Sequence, residues 1–436
     1  MPEHTTDVWP AFVATLPLDL GLPETSTPAD SGATSRRQPS LLLVDDDPFM
    51  LGMQSRMLRS MGYTMIGTAA SAQAALMLLG AGRAAVDVVI CDLNMPDVDG
   101  LEFLRRLGES DFRGNVILLS GEGPRIIHAV QKLLTARPLL ILGALEKPAG
   151  HTALRMMLDR WQPMVPPTAV APKPTYSPAD LQAAQQTAQW VLHYQPKVDL
   201  RTGALMGMEA LVRWNHPEHG LVYPDHFIGL AEDCGAIGPL TDWVIQAALT
   251  QLALWHHAGL HIHMAVNVSM DNLLEPNFAR KVGALVRHSR LSPQDLMLEV
   301  TESRMMAMSS VPLETLVRLR MQRFGLSIDD FGTGHSSLAQ LRDVPFTELK
   351  IDRGFVHGAR ENQLIRPMLE GSIGIAQRLG LQAVAEGVET EDDWSLLREI
   401  GCDIAQGYFI GRPMPSEGLR AWLADWMLKR SRLIAL

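Results

Sequence analysis

The chain has 436 residues, 47% hydrophobic and 20% charged, which is too long for one hydrophobic core and fits a globular protein of two or three domains. A net charge of -10 with no basic stripe excludes a general nucleic-acid binder, so direct DNA binding is not expected. No apolar run reaches the roughly 20 residues of a membrane span, the opening lacks a secretory signal, and Cys91, Cys234 and Cys402 show neither paired nor metal-ligand spacing. The expected location is the cytoplasm.

Residues 1–38, with PEHTT, PETSTPAD and SGATSRR, read as a disordered arm with little to bury. Residues 39–161 form the first domain. LLLV reads as a buried strand emptying into Asp45, Asp46 and Asp47, followed by a helix from about Met50 to Met61. TMIGTA, a helix around Ala70 to Leu79, VDVVICD ending at Asp92, NVILLS ending at Ser120, and LLILGAL leading to Lys147 and Pro148 come next. Strands alternating with helices predict an α/β, doubly wound, flavodoxin-like sheet whose crevice lies beyond the carboxyl ends of the strands. Asp45, Asp46, Asp92, Ser120 and Lys147 all fall there. One aspartate at a strand end is usually a cap. Together, the three carboxylates can hold Mg²⁺ while Ser120 and Lys147 meet a phosphoryl group carried by Asp92.

Prolines clustered in residues 162–178 favour an extended, semi-rigid linker. In residues 179–436, short apolar runs deliver Glu209, Asn267, Glu299 with Glu302, Asp329 with Asp330, Lys350, and Glu386 with Glu389. Gln195 and Glu209 are too close for an intervening helix, which predicts an antiparallel hairpin around Arg201, Thr202 and Gly203. The later rim positions leave room for a returning helix each time, so the expected fold is a modified TIM (β/α)8 barrel with an antiparallel first strand. A last amphipathic helix is expected from about Ser416 to Leu428.

Glu209, Asn267, Glu299, Asp329 and Asp330 offer only oxygen, which suits two Mg²⁺ or Mn²⁺ ions about 4 Å apart that activate a water for in-line attack at a phosphodiester. Lys350 is placed to steer or deprotonate that water, and Arg213 to clamp a phosphate oxygen. Glu302 and Glu389 read as carboxylates that support ligands and loops.

Through VDDD, CDLNMPDVDG, Ser120 and the Lys147-Pro148 pair, the first domain resembles the receiver domains of two-component response regulators. The resemblance implies Asp92 as phospho-acceptor, one Mg²⁺ held by Asp45, Asp46 and the backbone at Asn94, and phosphoryl sensing by Ser120 and Lys147. It also implies a cognate sensor histidine kinase or phosphotransfer protein as donor. Ala144 stands where the family often has an aromatic switch residue.

The second domain resembles the EAL family of cyclic di-GMP phosphodiesterases through Glu209-Ala210-Leu211, YQP, VNVS, EVTES, DDFGTGHSS, LKID, AEGVET and QGYFIGRP. The resemblance implies hydrolysis of cyclic di-GMP to linear pGpG and a homodimer formed through the barrel, and the order of the two domains with the proline-rich linker between them leads to the expectation that phosphorylation of Asp92 modulates the rate. Glu209, Asn267, Glu299 and Asp329 correspond to the ligands of one metal, and Asp329, Asp330 and Glu386 to those of the second. Lys350 corresponds to the catalytic lysine, Glu302 to the glutamate holding the DDFGTG loop, and Gln406 to the glutamine near the attacking water. Gln195, Leu211, Arg213 and Asp352 correspond to positions lining the dinucleotide site, and His335 replaces a common tyrosine. A catalytically silent cyclic di-GMP receptor or scaffold, and an enolase-like metalloenzyme, are the competing readings.

Overall fold

The computed structural model describes residues 38–80, 86–96, 99–110, 112–121, 130, 139–162, 174–301, 310–333 and 338–434. These separate into two compact units, one within residues 23–171 and one containing residues 172–436.

The smaller unit is a five-stranded parallel sheet in the order β2-β1-β3-β4-β5, formed by Leu41–Val44, Ile66–Ala69, Val88–Asp92, Asn115–Ser120 and Leu140–Glu146. Each of β1, β3 and β4 is buried along its whole length, as their unbroken apolar runs require for strands covered on both faces. Leu51, Leu58, Leu154 and Leu158 of the helices Pro48–Ser60 and His151–Asp159 cover one face; Ala72, Ala75, Phe103, Leu104 and Leu107 of Ala72–Gly80 and Gly100–Gly108 cover the other. The first helix starts at Pro48 because Asp47 caps it, accepting from the Phe49 backbone N–H at 2.8 Å.

The larger unit is a closed eight-stranded barrel. Its strands are β6 Trp190–Asp199, β7 Leu205–His216, β9 His263–Asn267, β10 Leu296–Thr301, β11 Gly325–Phe331, β12 Glu348–Ile351, β13 Gln382–Ala385 and β14 Ile404–Gln406, with β8 Gly220–Val222 added outside on β7. The chain makes the predicted hairpin: β6 pairs antiparallel with β7, Gln195 opposite Glu209, and also antiparallel with β14. From β7 through β14 every barrel pairing is parallel. β6 therefore starts, at Trp190, on the side of the barrel where the other strands end.

Two expectations are corrected. Glu209 is not at the end of its strand: β7 runs on to His216 and folds back through β8, because Val212 and Trp214 keep the strand pattern beyond the rim. The last helix runs from Leu419 to Ile434 rather than stopping near Leu428. Leu433 is buried and its carbonyl accepts from Arg398 Nη1 at 2.7 Å, which holds the extra turn and a half. No helix among the described residues is long and apolar enough to cross a membrane.

Candidate functional site

In the smaller unit, β1 and β3 bring Asp45, Asp46 and Asp92 together, with one oxygen of each within 4.8 Å of the others. Lys147 Nζ lies 2.6 Å from Asp45 Oδ2 and 2.9 Å from Asp92 Oδ2. Burial lowers the lysine's proton affinity, but the two carboxylates outweigh it and the ammonium stands raised from its usual value. The backbone N–H of Asn94 donates to Asp92 Oδ1 at 3.2 Å, and Ser120 is fully buried at the end of β4, where its carbonyl accepts from the Lys147 N–H. Ala144 packs into the core beside β4, on the strand that leads to Lys147.

In the barrel, the predicted carboxylates converge on Lys350. Its Nζ lies 2.8 Å from Glu299 Oε2, 3.0 Å from Asp329 Oδ1, 2.7 Å from Glu386 Oε1 and 3.6 Å from Glu209 Oε2. Four carboxylates around one buried ammonium overcome the burial cost and raise the lysine well above its ordinary value, so in this form it is a donor and not a base. Burial, together with Asp329 and Glu209, raises Glu386 to about 8 against the pull of Lys350. Glu209 is raised as well, first by burial and then by Glu299. Burial also pushes Glu299 up, but Lys197 and Lys350 prevail and hold it lowered to about 2.

Asp329 and Asp330 are neighbours in one strand, where side chains normally alternate between faces. A register shift between Ile328 and Phe331, with Asp330 at φ 57°, turns both toward Glu386, and one oxygen of each of the three lies within 4.8 Å of the others. Aspartate is one of the few side chains that tolerate that conformation. Glu209 is held by two carboxamides: Asn267 Nδ2 donates to Oε1 at 2.7 Å and Gln406 Nε2 to Oε2 at 2.6 Å. Gln406 also donates to Gln195 Oε1 at 3.1 Å, and its own carbonyl oxygen is buried with no partner among the described residues. All-oxygen carboxylate donors crowded into one buried cluster and an orphaned carbonyl oxygen fit hard divalent cations.

Beside this cluster a cleft of about 700 Å³ is lined by Leu211, Arg213, Tyr223, Asn267, Asp329 and Asp330, among others. Arg213 packs over the Tyr223 ring, 5.0 Å from its centroid, and its Nε is buried without a partner among the described residues. Burial lowers its proton affinity from the usual guanidinium value. Asp352 faces a different task here, accepting from the Gly354 N–H at 2.8 Å as the cap of the helix Arg353–Val356.

Glu302 and His335 lie outside the described residues. Glu389 is exposed and is tied through its backbone N–H, which donates to Asp393 Oδ2 at 3.1 Å. Asp393 is what fastens this loop, accepting also from His357, Gly358 N and Thr390 N. Sequence reasoning missed it because a carboxylate three residues into a helix reads as a capping-box partner, which it also is. Lys197, which reaches Glu299 from below, and Glu348, which holds Lys197, were missed too.

The EAL domain family profile matches residues 179–413, and the response regulator receiver domain profile matches residues 41–159. The chain is 34% identical over 383 residues to the cyclic di-GMP phosphodiesterase RocR of Pseudomonas aeruginosa, covering 87% of this chain and 97% of RocR. It is 43% identical over 247 residues to the bifunctional diguanylate cyclase/cyclic di-GMP phosphodiesterase MucR of the same organism, covering 56% of this chain but 36% of MucR. Among solved structures, the PaMucR phosphodiesterase in complex with c-di-GMP superposes with a TM-score of 0.53 at 41% identity, over 55% of this chain and 98% of that one. With a doubly wound receiver sheet followed by a barrel whose first strand is reversed, the chain belongs to the EAL-domain family, in the form that carries a response regulator receiver domain.

Proposed function

We propose that the barrel hydrolyses cyclic di-GMP to linear pGpG with two Mg²⁺ or Mn²⁺ ions, and that phosphorylation of Asp92 modulates the rate. The observation that carries this reading is the buried convergence of Glu209, Glu299, Asp329 and Glu386 on Lys350 beside a cleft large enough for nucleotide groups. Glu209, Asn267, Glu299 and Asp329 would hold one ion, and Asp329, Asp330 and Glu386 the other. When bound, such ions supply the positive charge that makes water easier to deprotonate and neutralises phosphoryl oxygens.

The residues do the rest. Lys350, set among these carboxylates, steers the attacking water and balances the charge built on phosphorus. The free carbonyl oxygen of Gln406 accepts from that water and fixes its direction. Arg213 offers its unpartnered Nε to a phosphate oxygen while Tyr223 braces its plane. Gln195, Leu211 and Asp352 line or border the dinucleotide, Glu302 steadies the DDFGTG loop, and Glu389 belongs to the loop that carries Glu386. The water oxygen bonds to phosphorus as that water gives up a proton, the P–O3′ bond breaks, and the departing O3′ oxygen takes up a proton, leaving a 5′-phosphate and a 3′-hydroxyl, which is pGpG.

In the receiver unit, Asp45, Asp46 and the backbone at Asn94 would hold one Mg²⁺ beside Asp92, the acceptor of a phosphoryl group from a histidine kinase or phosphotransfer protein. The test is chromatography of the protein incubated with cyclic di-GMP and Mg²⁺ or Mn²⁺. pGpG is expected from the wild type, and Glu209→Ala should lose more than the roughly 100-fold typical of a supporting partner. Binding without pGpG under either ion would overturn the enzyme reading in favour of a receptor.

A further inference from the structure

Lys197 is a buried lysine with no place in the chemistry above. It projects from β6 into the barrel, where its Nζ donates to Glu299 Oε1 at 2.6 Å and to Glu348 Oε1 at 3.0 Å. Glu299 is in β10 and Glu348 in β12, each three strands round the barrel from β6 in opposite directions, so the lysine spans the interior. The three residues are 4%, 1% and 3% exposed. Such barrel positions are ordinarily filled by branched apolar side chains, and a buried ion pair is weak evidence for stability.

What the pair does to Glu299 is specific. Oε1 is taken by Lys197 and Oε2 faces Lys350 at 2.8 Å, so the carboxylate plane is fixed from both sides. Glu348 holds Lys197 in turn and cancels its charge. Both also line a cavity of about 480 Å³ on the far side of the barrel, with Gly207, Met208 and His263, away from the cleft. Lys197 therefore approaches Glu299 from behind the reacting centre.

We infer that Lys197, anchored by Glu348, is a positioning residue that pins one oxygen of Glu299 and leaves only the other to a divalent cation. The inference rests on Glu299 being a metal ligand. Lys197→Met alone leaves Glu348 buried and unpaired, which endangers folding, so the informative variant is Lys197→Met with Glu348→Gln, which removes both charges together.

The measurement is the Mn²⁺ dissociation constant of the full chain, read by electron paramagnetic resonance of free Mn²⁺, with thermal unfolding of the metal-free protein alongside. The double variant should fold and bind Mn²⁺ about 10-fold or more weakly, as expected when a ligand loses its orienting partner. In a Glu299→Gln background the same double change should alter affinity by less than about twofold, because its route of action is gone. Equal losses in both backgrounds, or no loss in the wild type, would overturn the inference while leaving Glu299 a ligand. Should Glu299→Gln by itself bind Mn²⁺ like the wild type, the ligand reading fails and the inference with it.

Discussion

Glu386 carries its own pH test. Its carboxyl is raised from 4.5 to about 8, first by burial and then by Asp329 and Glu209, so between those values the folded metal-free chain holds a proton that the unfolded chain has released. The folded state then binds more protons, and stability must fall as pH rises through that window. Thermal unfolding of the chelated protein should show this decline, and Glu386→Gln should flatten it. A decline of equal slope in that variant would place the titrating group elsewhere. Divalent cations should bind more tightly as the proton leaves. The carboxylates themselves were legible in the sequence because each follows a short apolar run. Lys197 was not, because an interior lysine looks like any polar residue in an alternating strand until barrel closure sets Glu299 and Glu348 opposite it.

At the scale of elements, the loop after β13 is shaped by backbone as much as by charge. Gly387 follows Glu386 at φ 64°, and a Cβ there would collide with the Cβ of Arg353, on the helix after β12. Gly387→Ala should cost about 1–3 kcal/mol of barrel stability from the strained backbone. It should also cut turnover far more than it weakens cyclic di-GMP binding, since Glu386 would be displaced from Lys350. Calorimetry and steady-state kinetics check this, and unchanged turnover would mean that the loop relaxes freely. The reversed hairpin was readable from the short spacing of Gln195 and Glu209, as was the doubly wound order. The continuation of β7 into β8 was not, since the hairpin through Gly220 lies beyond any rim residue.

For the whole molecule, the described residues form three apolar clusters, one in the barrel and one on each face of the five-stranded sheet, so the Asp92 pocket and the barrel site each fold around their own apolar set. Lys147 already bridges Asp45 and Asp92, so a phosphoryl group on Asp92 must redirect that ammonium to the new oxygens. Acetyl phosphate or beryllofluoride should change pGpG production by the wild type, measurably beyond assay error, and leave Asp92→Asn unchanged. Equal rates with and without the mimic in the wild type would remove Asp92 from regulation. Ala144 means that any relay from this pocket works without an aromatic ring at that position, which the sequence already indicated.

The reversal of β6 also decides from which side the chain enters the barrel. In a barrel of uniformly parallel strands the chain arrives at the face opposite the chemistry. Here Trp190 begins its strand level with the upper reach of β7, opposite Trp214, and Tyr176 leans on that same tryptophan with ring centroids 4.6 Å apart. The helix Pro178–Gln186 packs against Ile228–Asp233, whose Ile228, Gly229 and Glu232 form part of the cleft wall. The polypeptide that enters at Tyr176 thus meets the barrel one helix away from the cleft, because the polarity of a single strand places its start on the side where the other strands end.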